Sequence, residues 1–127
     1  DHYLLAIPNQ HPLCAKAEIA FSDFKRLPLI KRTPCEAWDQ VQLALNRHNV
    51  KPDIRANIHT IEYAIGLVGA GIGCALLPAF ESQRNKATMQ CRPIEGLALE
   101  RQLVLAFDKN LQHQSAVKTL CDVAKKQ

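Results

Sequence analysis

Three short stretches carry side chains suited to holding a small anion. They are Lys31-Arg32-Thr33-Pro34, Ile58-His59-Thr60-Ile61 and Pro78-Ala79-Phe80. Each follows an apolar, strand-like run and opens a helix-like run. The first amides of a helix have no intrahelical acceptor, and the helix dipole is positive at that end. Thr33 and Thr60 can add a hydroxyl. His59 can donate a hydrogen bond or, when charged, pair with a carboxylate. Lys31 and Arg32 can supply positive charge. Each of these residues also has a purely structural use: Thr33 and Thr60 as helix caps, His59 and Arg32 as solvated surface groups.

Catalytic chemistry has little to stand on. No serine sits in a G-x-S-x-G elbow. No pair of acids marks a glycosidase-type site, and nothing in the sequence brings His59 and Cys35 together. An enzyme is not expected. Gly69-Ala70-Gly71-Ile72-Gly73 looks like part of a dinucleotide-binding loop. Such a loop follows a strand and opens a helix. These glycines close a helix and open a strand, so they read as a tight connection, with Gly71 left-handed. The five cysteines (14, 35, 74, 91 and 121) are odd in number and irregularly spaced, with no C-x-x-C and no histidine at ligand spacing. They read as reduced thiols of a cytoplasmic protein, with no metal and no cofactor implied.

The elements that position these residues follow from periodicity. Residues 3–7 and 73–77 are continuous apolar runs, the pattern of strands buried on both faces, and residues 102–107, apolar after Gln102, read as a further buried strand. Residues 28–30 form a further short strand and residues 88–92 a weaker one. Residues 54–58 alternate, so that one face of that strand is wet. Thr33-Pro34-Cys35-Glu36 has the form of a capping box with proline at the first helical position. It opens an amphipathic helix to about His48, with Trp38, Val41 and Leu45 on its inner stripe and Asn49 as a left-handed terminator. Further helices are predicted over 61–70, 79–84 and 115–125. Ser115 caps the last, which turns Ala116, Val117, Leu120 and Ala124 inward. A short helical turn over 22–26 takes Ser22 as its cap. Strands alternating with helices specify an α/β domain with a largely parallel sheet.

The chain has 127 residues, 47% of them apolar, enough for one domain with a core. Its net charge of +4 comes from basic residues that never run longer than two. That is not the clustered basic face of a nucleic-acid-binding domain. No stretch approaches the ~18 apolar residues of a membrane span. Asp1-His2-Tyr3 lacks the basic start of a signal peptide and enters a strand directly, which suggests a piece of a longer chain.

The order of these features resembles the effector-binding domain of LysR-type transcriptional regulators. The matching segments are His11-Pro12-Leu13, "LPLI" at 27–30, Asn49-Val50-Lys51-Pro52, "IEYAIGLVGAGIGCALLPA" at 61–79 and "RQLVLAF" at 101–107. Residues 68–79 follow the family pattern V-x-A-G-x-G-I-A-L-L-P, with Cys74 where a small or apolar residue is usual. The resemblance runs over about residues 3–125. It implies a Rossmann-like subdomain of the type 2 periplasmic-binding-protein fold, with part of the other subdomain. Residues 1–13 would end the first subdomain and make a hinge crossing. Residues 14–94 would form the second subdomain. Residues 95–127 would return through the hinge to a strand and helix of the first.

The resemblance further implies a small effector, often a carboxylate, bound in the cleft of an oligomeric regulator. Arg32, Thr33, Pro34, His59 and Thr60 would be its contacts here. The helix-turn-helix and most of the first subdomain have no counterpart in these residues, so this chain is not expected to touch DNA. A solute-binding half-domain of a transport protein is the other reading of the same fold. An enzyme of the dehydratase type would need acid–base residues converging on the cleft.

Overall fold

The computed structural model describes residues 1–111 and 113–126. One five-stranded sheet organises it. The strands are β1 (Tyr3–Pro8), β2 (Pro28–Arg32), β3 (Asp53–Ile58), β4 (Cys74–Pro78) and β5 (Met89–Arg92), in the spatial order β3-β2-β4-β1-β5. β2 pairs in parallel with both β3 and β4, while β1 runs antiparallel to β4 and β5. Four strands therefore point one way and β1 points against them.

Side-chain alternation explains why β1, β2 and β4 are apolar throughout. Leu5, Ile7, Leu29, Cys74 and Leu76 face one side of the sheet. Ala6, Ile30, Ala75 and Leu77, the intervening residues, face the other. Helix α1 (Glu36–Arg47) covers the first face with Ala37, Trp38, Val41 and Leu45. Helix α2 (Ile61–Gly69) covers the second with Ala64 and Val68. A central strand buried on both sides has no position left for a polar residue, and among the described residues no polar or charged residue is buried. β3, at the sheet edge, keeps Ile54, Arg55 and Asn57 exposed. The short helix α3 (Ala79–Arg84) links β4 to β5.

Two glycines make the α2-to-β4 connection, for different reasons. Gly71 has φ +79, the left-handed region predicted for it. Gly73 has no unusual φ. A Cβ there would lie 2.8 Å from the Pro28 carbonyl oxygen, because the chain passes hard against the start of β2. Asn49 closes α1 at φ 55, as its position predicts.

Four expectations are corrected. Residues 102–107 form no strand. Leu103 and Val104 are 68% and 79% exposed, because no neighbouring strand among the described residues offers them a ladder. Helix α4 (Ser115–Lys125) forms, but Leu120 and Val123 stay half exposed and it buries no side chain, so its apolar stripe has nothing to face. Gln114, rather than Ser115, takes its N-cap position. Ser22 does not cap its turn, which spans Phe21–Phe24 behind Ala20. Asp23 holds that turn by accepting the Ala20 N–H at 2.9 Å and the Lys16 ammonium at 2.6 Å.

All five cysteines are free thiols. Burial, with a smaller contribution from Cys14, pushes the Cys74 thiol up to about 12. Only thiolate reacts, so Cys74 is expected to resist iodoacetamide at neutral pH until the fold is opened by denaturant. Mass spectrometry of the alkylated protein checks this. Cys74 labelled in the native protein as fast as Cys121 would contradict it.

Candidate functional site

β2 and β3 end side by side, with Arg32 opposite Ile58. The chain keeps the ladder for one more bond: the Thr33 N–H donates to the Ile58 carbonyl at 2.9 Å. This fixes Thr33 next to His59, from the two loops that the sequence singled out. The His59 ring Nδ1 lies 2.9 Å from the Thr33 carbonyl oxygen. The Thr33 hydroxyl donates to Asn57 Oδ1 at 3.1 Å. Three hydrogen bonds thus tie the two loops into one surface at the carboxyl ends of parallel strands, where ligands of open α/β sheets bind.

Thr60 occupies the N-cap of α2. Its Oγ1 accepts the Tyr63 N–H at 3.3 Å, which leaves the hydroxyl proton free to donate. The amides of Ile61 and Glu62, first in the helix, have no intrahelical acceptor. His59 and Thr60 are both exposed. This rim therefore offers donors at its α2 side.

The start of α1 differs from the capping box read in the sequence. Cys35, not Thr33, is the N-cap, and it makes no side-chain cap. The Thr33–Pro34 peptide is cis. Thr33 is still held to β3 by the last ladder bond, so it cannot turn into the helix, and its hydroxyl goes to Asn57 instead. Arg32 turns along the loop and donates from Nη1 to the Pro34 carbonyl at 3.1 Å, with its Nε buried and without a partner. Near it the Tyr3 hydroxyl donates to Glu36 Oε2 at 3.4 Å. Burial first, then Cys35 and Glu36, raises the Tyr3 hydroxyl above its ordinary range, with Arg32 opposing them. Lys31 places its ammonium 5.6 Å from the centre of the Trp38 ring. Lys31, Arg32, Pro34, Cys35, Glu36 and Trp38 line a cavity of about 340 Å³ between β2 and α1.

The third candidate loop does not join the site. The Ala79 N–H is taken by the His2 carbonyl at 2.8 Å, and α3 spans only Ala79–Arg84. Cys35 and His59 share no hydrogen bond. Asn57 was missed by sequence reading. Its outward place on β3, one pleat before His59, is the signal that could have found it. Among the described residues no group of three metal-ligating side chains converges, and no helix is long and apolar enough to cross a membrane.

A mostly parallel sheet with a helix on each face and a rim of helix starts is a periplasmic-binding-protein-like fold. The model of the LysR substrate binding domain matches residues 1–127, and the chain belongs to that family. The family is one of transcriptional regulators with effector-binding domains rather than of enzymes. The transport-protein reading is therefore set aside.

The chain is 30% identical over 119 residues to the HTH-type transcriptional regulator AlsR of Bacillus subtilis, covering 91% of this chain and 39% of that protein. Its fold matches HinK, a LysR family transcriptional regulator from Pseudomonas aeruginosa, with a TM-score of 0.71 at 20% identity, over 99% of this chain and 44% of that one. It also matches the Synechocystis CcmR regulatory domain in complex with 2-PG, with a TM-score of 0.67 at 16% identity, over 96% of this chain and 60% of that one. The chain spans about two-fifths of the length of the curated relatives it matches.

Proposed function

We propose that this chain is the larger part of the effector-sensing domain of a cytoplasmic LysR-type transcriptional regulator, and that it binds a small anionic metabolite at the joined rim of β2 and β3. The observation that carries this reading is the hydrogen-bonded coupling of Thr33 to His59 and Asn57, beside the open amides of α2. Thr60 and the first amides of α2 hold the anion, and His59 and Thr33 contact the rest of the ligand. Arg32 and Pro34 form the adjoining wall. The chain itself does not contact DNA: the effector's binding changes how an oligomer of the full-length regulator engages its promoter.

On this reading residues 14–94 are the second subdomain together with β1, which lies inside its sheet between β4 and β5, and residues 1–2 and 95–127 belong to the hinge and first subdomain. The exposed apolar side chains of 102–107 and α4 fit that division, since a strand and helix of the first subdomain would lie bare without the rest of it. Residues 1–3 and 99–101 run antiparallel, joined by the Tyr3 N–H to the Leu99 carbonyl and by the Asp1–Arg101 ion pair at 2.8 Å. Such a pair suits a hinge crossing.

A thermal-shift screen of the full-length protein against 2-PG, phosphate, sulfate and small carboxylates tests the function. A ligand at ~100 times its Kd adds ~2.7 kcal/mol to the stability of the domain that binds it. A rise of several degrees with one anion class is expected. A protein that none of these anions stabilises would overturn the reading.

A further inference from the structure

We draw no further inference here: the strongest candidate, the cavity of about 340 Å³ between β2 and α1 lined by Arg32, whose Nε is buried without a partner, belongs to the site already described.

Discussion

Replacing Gly73 with alanine is expected to destabilise the fold more than the same change at Gly71, although Gly71 has the unusual backbone. At Gly71 the cost is conformational: φ is +79, and an L-residue in the left-handed region loses about 1–2 kcal/mol. The space around it is open, with nothing within 4 Å of a Cβ. At Gly73 the obstacle is backbone. The added Cβ would meet the Pro28 carbonyl oxygen at 2.8 Å, its carbon at 3.0 Å and the Leu29 nitrogen at 3.3 Å. None of these can swing aside as a side-chain tip would.

Relief at Gly73 needs β4 to move away from β2, and those strands pair at Leu29–Cys74 and Ile30–Ala75 in the middle of the sheet. Leu29, Ile30, Cys74 and Ala75 are all buried, two on each face, so both cores would be disturbed together. Overpacking of a filled interior costs about 1–3 kcal/mol, and a backbone clash belongs at the upper end. Gly73→Ala should lower the melting temperature by roughly 8–12 °C, at ~4 °C per kcal/mol for a domain of this size. Gly71→Ala should fall by less. A Gly73→Ala protein that melts with the wild type would show that β4 can leave β2 at little cost.

The contrast between these glycines bears on what could be read in the sequence. A left-handed residue after a helix is a local event, and the local pattern at Gly71 predicted it. The need for Gly73 comes from a strand 45 residues away in the chain, so position alone could not separate it from Gly71. The same division runs through the fold. β1, β2 and β4 were legible because their apolar runs meet sheet neighbours and both helical layers. Residues 102–107 carry the same pattern and form no strand, because hydrophobicity states a need for burial and cannot supply the surface that meets it. The stripe of α4 fails to bury for the same reason.

The candidate site was legible as two loops but not as an arrangement. Periodicity placed Thr33 and Thr60 before their helices, and parallel topology placed both loops at one sheet edge. Thr33 was misassigned as a cap because the capping-box spacing is satisfied in sequence. The ladder bond to Ile58, which holds Thr33 in extended backbone, is a tertiary contact. His59 was read as a donor to a ligand. The structure places its Nδ1 2.9 Å from the Thr33 carbonyl, so that ring nitrogen is committed to the neighbouring loop.

Thr60→Val should act on stability and on ligand affinity through one atom, and the two effects can be separated. Thr60 Oγ1 accepts the Tyr63 N–H in the cap of α2, and its proton is free to reach a bound anion. Valine matches the shape and removes both bonds. Loss of the cap costs ~0.5–2 kcal/mol, a fall of roughly 2–8 °C in the unliganded melting temperature. Loss of a hydrogen bond to a charged ligand costs ~1.5–3 kcal/mol, or about 10- to 150-fold in Kd. Thr60→Ser keeps the hydroxyl and should stay close to wild type in both. Titration with the anion that raises the wild-type melting temperature, alongside melting of the free proteins, separates the two effects. A Thr60→Val protein that melts lower but binds that anion with unchanged Kd would restrict Thr60 to its cap. The ligand would then be held by the α2 amides without it. A protein that binds weakly and melts normally would assign Thr60 to the ligand alone and make the 3.3 Å cap bond energetically negligible.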